Sequence, residues 1–82
     1  MSVYKLPLVL EPQPEGGYVA TCPLVPELVT EGDTVDEVVR NVKDALEALI
    51  EGFESLGRPL PAALRPFTEQ DPIWLETAVA VP

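Results

Sequence analysis

Alternating apolar and polar positions open the chain and predict a β-hairpin. In residues 3–11 every second residue is tyrosine or leucine, which is typical of a strand with one buried face. The run "PQPEGG" at 12–17 contains two prolines and two glycines and predicts a turn. The run "YVATC" at 18–22 alternates again and predicts the antiparallel partner strand. Because Pro7 cannot donate a backbone hydrogen bond, we expect it at a sheet edge or on an unpaired side of the strand.

A short third strand and a long helix are predicted next. "ELVTEG" at 27–32 follows a proline-interrupted stretch and predicts the strand. Thr34 and Glu37 have the spacing of a capping box at a helix start, and Gly57 is suited to its end. Between them, apolar residues recur at steps of three and four and form one stripe. The stripe consists of Val35, Val38, Val39, Val42, Ala45, Leu46, Leu49, Ile50, Phe53 and Leu56.

The remainder of the chain completes a single predicted domain over residues 1–82. Residues 58–72 are rich in proline, and we expect them to lie against the body because they include Leu60, Leu64 and Phe67. Residues 73–81 alternate with both faces largely apolar, which predicts a fourth strand covered on both sides. The predicted order is β-β-β-α-β. This order indicates an α+β, two-layer domain in which one long helix packs on one face of an antiparallel sheet.

The charge balance narrows the partners that the chain can have. Fourteen acidic residues face five basic ones, and the net charge is −9. Binding to nucleic acid depends on Lys and Arg, so neither DNA, RNA nor an anionic membrane is an expected partner. A basic protein is the natural partner. The alternative is that the charge only keeps the chain soluble. The single cysteine, and the absence of a signal-peptide pattern and of a long apolar run, favour a cytoplasmic protein.

Candidate catalytic chemistry is sparse, and we expect neither an enzyme nor a cofactor. The chain has no histidine, and Cys22 has no nearby basic residue that would activate a thiolate, so it is interpreted as a small core residue. No phosphate-binding loop is present. Glu27, Glu31 and Asp33 could in principle hold Mg²⁺ or Ca²⁺, but a solvated acidic surface is the favoured interpretation, with no metal site.

Several motifs together resemble the HicB family of antitoxins. Residues 15–18 read "EGGY", residues 30–38 read "TEGDTVDEV", and residues 57–61 read "GRPLP". These are similar to the family's acidic-glycine turn before a tyrosine, its helix entry and its helix exit. The resemblance implies a trimmed ribonuclease-H-like fold and a partner of the HicA type, a small basic ribonuclease. The run "PLVPE" at 23–27 departs from the family's usual "PDLPG". The basic helices of the DNA-binding domain found in many members do not appear, so we expect no direct DNA binding.

The leading hypothesis is a HicB-like antitoxin that masks a basic, mRNA-cleaving toxin. Its candidate partner-binding residues are acidic, with one tryptophan from the apolar C-terminal segment. They are Glu27, Glu31, Asp33, Glu47, Glu51, Glu54 and Trp74. Residues 58–72 could instead cover Trp74. A second hypothesis is a stand-alone homo-oligomeric scaffold that associates through residues 73–81. A third is a degenerate ribonuclease-H-like metal enzyme.

Overall fold

A three-stranded antiparallel sheet followed by one long helix forms the body of the protein. The structure, a computed structural model, describes residues 3–62, 64, 66, 68–72 and 76–82. Its elements follow the chain in the order β1, β2, β3 and α1. They are β1 at Val9–Pro12, β2 at Tyr18–Thr21, β3 at Val29–Gly32 and α1 at Val35–Ser55. The strands lie in the order β1-β2-β3, so the predicted α+β arrangement is confirmed.

The register of the sheet explains why β1 is shorter than the sequence predicts. Val9 pairs with Thr21, and Leu10 pairs with Ala20. Continuing this register toward the N-terminus would place Pro7 opposite Pro23, and neither residue can donate a ladder hydrogen bond. β1 therefore begins at Val9 instead of Val3.

The segment before β1 nevertheless keeps the predicted alternation of its side chains. Tyr4, Leu6 and Leu8 are half-buried and pack against the core, while the residues between them are exposed. Tyr4 also forms a single antiparallel bridge with Pro66. The alternation in residues 3–8 thus identifies the buried side of an extended segment, although this segment lies outside the sheet.

α1 begins and ends as its capping residues predict. The Glu37 backbone N–H donates to Thr34 Oγ1 at 3.1 Å, which is half of the expected capping box. At the other end, Arg58 N–H donates to the Phe53 carbonyl, and Gly57 N–H donates to the Glu54 carbonyl. Gly57 has φ +64°, and this pair of bonds is the Schellman arrangement that closes a helix.

The core lies between α1 and the sheet, and the loop after β2 contributes much of it. Cys22, Val25, Leu28 and Leu64 form the buried cluster. Val25 N–H donates to the Cys22 carbonyl and Leu28 N–H to the Val25 carbonyl, so two successive tight turns direct these side chains inward. The prediction that Cys22 is a core residue is confirmed. The expectation that residues 58–72 lie against the body holds for Leu60 and Leu64, whereas Phe67 is outside the described residues.

Not every apolar segment of the sequence is buried. Val35, Val39 and Leu56 belong to the predicted helical stripe, but each is more than half exposed. Val35 lies in the first turn and Leu56 at the C-cap, so both stand at the limits of the packed layer. The prediction of a fourth strand over residues 73–81 is wrong where the structure describes it. Its described part, residues 76–81, is exposed and has no strand pairing, while residues 73–75 lie outside the described residues.

Candidate partner-binding surfaces

The exposed face of α1 divides into a mixed half and an acidic half. In the first half Arg40 and Lys43 lie among the carboxylates, whereas from Asp44 to Ser55 every charged residue is acidic. We call Glu47, Glu51 and Glu54 the acidic ridge, because their spacing of four and three residues places them side by side on a helix. All three are exposed. The structure thus brings together the three helix residues that the sequence predicts for partner binding.

The acidic ridge opposes the stability of the helix that carries it. Glu51 has Glu47 four residues before it and Glu54 three residues after it, and no basic residue occupies a neighbouring helical position. Like charges at these spacings destabilise a helix by about 0.2–0.5 kcal/mol per pair. The last turn of α1 contains no basic residue, so Glu54 also lies near the negative end of the helix dipole, and the next basic residue along the chain is Arg58, two residues past the C-cap.

The three acidic residues predicted for the loop do not form one cluster. Glu31 and Asp33 border a polar cleft of about 280 Å³ at the N-terminal end of α1, together with Glu37 and Asn41. Asn41 Nδ2 donates to the Glu31 backbone carbonyl at 2.7 Å, which fastens β3 to the helix and leaves the carboxylate exposed.

Glu27 lies toward the opposite end of α1. It borders a shallow depression with Phe53, Leu56 and Arg58, at the end of a helix that is about 30 Å long. Among the described residues, no group of three or more His, Cys, Asp or Glu is placed to hold a metal ion. The three-carboxylate Mg²⁺ or Ca²⁺ site that the sequence left open is therefore not formed.

An apolar groove, which the sequence did not predict, runs beside the acidic ridge. The groove measures about 500 Å³ and lies between the extended segment 3–8 and α1. Its lining is apolar except for Lys43 and Glu47. The lining residues are Tyr4, Leu6, Leu8, Val39, Val42, Lys43, Leu46, Glu47 and Ile50. The alternation of residues 3–8 and the helical stripe indicated both walls. What they could not indicate is that the walls stand apart and leave Val39 exposed.

The last predicted partner-binding residue and the possibility of a membrane span remain to be placed. Trp74, the remaining predicted partner-binding residue, lies outside the described residues. None of the helices in the described part of the chain combines the length and apolar character that a membrane span needs.

Fold and charge together define the class of the protein: a small acidic α+β domain with one amphipathic helix on one face of an antiparallel sheet. UPF0150 protein ssr1765 of Synechocystis is 34% identical to it over 59 residues, which are 72% of this chain and 75% of that relative. The chain therefore belongs to the UPF0150 family of HicB-like, antitoxin-type domains. This confirms the family resemblance that its motifs indicate.

The chain is also similar to two proteins named as antitoxins. Antitoxin HicB 1 of Photorhabdus laumondii is 46% identical over 50 residues, or 61% of this chain. Antitoxin HicB of Escherichia coli K12 is 45% identical over 42 residues, or 51% of this chain. In both cases the match spans 30% of the antitoxin's own length. No model of a known protein family matches the chain.

Proposed function

We propose that this domain is a HicB-like antitoxin module that binds a small basic, mRNA-cleaving ribonuclease of the HicA type and masks its RNA-binding surface. The proposed role is non-catalytic. Membership of the UPF0150 family and the similarity to the two HicB antitoxins support the class of function. The observation that carries the proposal is the acidic ridge on the exposed face of α1.

The charge distribution suits a basic partner. A ribonuclease must present positive charge to RNA phosphates, and a net charge of −9 on this chain attracts such a surface from a distance. Electrostatic complementarity of this kind raises the association rate and selects the partner. The ridge supplies a contact on a rigid helix, whose side chains keep a fixed spacing.

The energetic disadvantage of the ridge strengthens its assignment to a binding role. A solvated helix face could have used Lys or Arg near its C-terminal end and gained stability from the dipole. Instead, Glu47, Glu51 and Glu54 repel one another and the helix end. Stability alone does not explain this arrangement, whereas a positively charged partner would offset the repulsion on binding.

The predicted acidic residues outside the ridge are expected to differ in how much they contribute to binding. Asp33 borders the cleft at the opposite end of α1 from the last turn and would extend the contact along the helix. Glu31 is level with Val19 and Glu11 on the sheet face that α1 does not cover, so we expect it to contribute less. Glu27 lies on a different side of the helix, beside Gly52 and Phe53. We therefore expect the ridge to contribute more to binding than Glu27 does.

The proposal can be tested with the product of the neighbouring gene, if that product is a basic ribonuclease. Its affinity for this domain is measured by calorimetry at increasing salt concentration, and its cleavage of mRNA is measured with and without the domain. We expect binding, inhibition of cleavage, and an affinity that falls as salt rises. Failure to bind, or an affinity indifferent to salt, contradicts the proposal.

Matched charge reversals locate the contact. Glu51→Lys and Glu54→Lys change the ridge, while Glu11→Lys makes the same change in net charge at an exposed position of β1. Glu11 pairs with Val19 on the sheet face that α1 does not cover. We expect each ridge variant to weaken binding more than Glu11→Lys does. Equal losses for all three variants would show that total charge, and not the ridge, determines the affinity.

A further inference from the structure

The C-terminal residues form an exposed apolar segment. Residues 76–82, "ETAVAVP", are exposed throughout, and we call them the arm. Val79 is 75% exposed and Val81 is 80% exposed. The arm contains one charged residue, Glu76, in a chain whose net charge is −9. β-branched side chains at alternate positions favour an extended strand, so the arm is suited to pair with or lie along another surface.

The dimensions of the chain agree with a projecting segment. The radius of gyration is 14.6 Å, and the longest extent is 52 Å. A compact chain of this length would have a radius of gyration of about 12 Å. Part of the chain therefore extends beyond the packed body, as the exposure of the arm indicates.

The apolar groove between residues 3–8 and α1 matches the arm in character and length. Along the helix, the groove reaches from Val39 to Ile50, a distance of about 16 Å. The part of the arm that follows Glu76, from Thr77 to Pro82, also spans about 16 Å when it is extended. Both surfaces are mainly apolar, and the groove has space for several small side chains.

We infer that two copies of this chain associate by exchanging arms, each arm lying in the apolar groove of the other copy. Within one chain, the described arm residues do not line the groove, and both the arm and Val39 of the groove are exposed. A two-fold exchange fills both grooves with one self-complementary contact, as closed dimers require. Burying Val79, Val81 and Val39 removes apolar surface from water in both copies.

The charge of the chain gives this association a distinctive salt dependence. Two copies with a net charge of −9 repel each other, and the contact itself is nearly uncharged. Salt screens the repulsion, so the dimer should become tighter as salt rises. Binding to a basic toxin should instead become weaker. The two proposals therefore respond in opposite directions and can fail independently.

Sedimentation velocity over a range of protein concentrations tests the exchange with three matched variants. Val79→Asn changes the arm and Val39→Asn changes the groove, while Val29→Asn changes an exposed position of β3. Val29 and Val39 are exposed to a similar degree, at 58% and 56%. We expect the arm and groove variants each to weaken dimerisation at least about tenfold. Val29→Asn should leave it unchanged.

Cross-linking separates exchange between copies from folding of the arm onto its own chain. A Val79→Cys chain is mixed with a Val39→Cys chain under a mild oxidant, and wild-type chain replaces either partner in the controls. Native Cys22 is buried and does not compete. Arm exchange predicts a disulfide-linked dimer from the mixture and none with wild type.

Each contrary outcome overturns the inference. A chain that stays monomeric at every attainable concentration excludes the dimer. A dimer that is indifferent to Val79→Asn or to Val39→Asn uses another surface. A Val79→Cys, Val39→Cys double variant that forms its disulfide within a monomer shows that the arm occupies its own groove.

Discussion

Replacing Glu51 by lysine should stabilise the folded protein while it weakens partner binding. Glu51 stands between Glu47 and Glu54 on the exposed face of α1, and each neighbour repels it. Glu51→Lys converts both repulsions into attractions, and Glu47 followed by Lys at position 51 is the favourable order for an i,i+4 pair. Four changes of about 0.2–0.5 kcal/mol each give a total of about 0.8–2 kcal/mol at low salt.

Thermal unfolding followed by circular dichroism measures this gain. For a domain of this size, each ~1 kcal/mol of added stability raises the Tm by about 4–8 °C. Glu51→Gln removes the two repulsions without adding attractions, so it should give about half of the shift. Both gains should shrink as salt screens the exposed charges.

Glu11→Lys is the control, because it changes the net charge equally at a position outside the ridge. We expect it to alter stability by less than about 0.5 kcal/mol. If Glu51→Lys leaves the Tm unchanged or lowers it, the ridge does not oppose folding. The argument that binding explains its presence would then fail. A gain for Glu11→Lys as large as that for Glu51→Lys would assign the effect to net charge alone.

Two further pairs of substitutions test the packing of the fold. A Cβ at Gly32 would lie 2.8 Å from the Val38 backbone nitrogen, whereas a Cβ at Gly52 meets nothing within 4 Å. Gly32→Ala should therefore destabilise the protein by about 1–3 kcal/mol, while Gly52→Ala in the exposed helix stabilises it by about 0.5–1 kcal/mol. Leu28→Ala should cost about 2–5 kcal/mol through a core cavity, and Leu24→Ala, at an exposed position, less than about 0.5 kcal/mol. Urea unfolding checks both pairs, and equal effects within either pair would contradict the packing described here.

The helix could be predicted closely from the sequence because its determinants are local. Thr34 and Glu37 mark its beginning, Gly57 marks its end, and the stripe between them follows the helical period. The structure reproduces each of these features. The hairpin turn was equally predictable, since two adjacent glycines at 16 and 17 supply the positive φ angles that it uses.

Features that depend on contacts between distant residues were not predictable to the same degree. The start of β1 depends on the register that places Pro7 opposite Pro23, and the alternation alone does not contain this information. The inward turns at Val25 and Leu28 likewise follow from backbone bonds within a loop that the sequence showed only as an interruption. The part of the predicted fourth strand that is described, residues 76–81, has strand-like residues, but it does not pair with either edge of the sheet.

The candidate site also combines features that are local in sequence with features that depend on contacts between distant residues. Glu47, Glu51 and Glu54 could be grouped from their spacing because one helix holds all three. Glu27, Glu31 and Asp33 are close in sequence, but the loop and β3 carry them to different ends of α1. The groove beside the ridge needs two distant segments, so it became apparent only in the folded structure.

The acidic ridge lies away from the end of α1 that is most firmly held. At its N-terminal end the helix is fixed by the Thr34 cap, by the Asn41 bond to β3 and by the close approach of Gly32 to Val38. Repulsion placed there would strain contacts that join the helix to the sheet. Toward the C-terminal end, no bond to the sheet among the described residues holds the exposed face, while the apolar face still packs on the core. A destabilising row of carboxylates is therefore tolerated in this half at the least structural cost, and the proposed basic partner would offset its repulsion there.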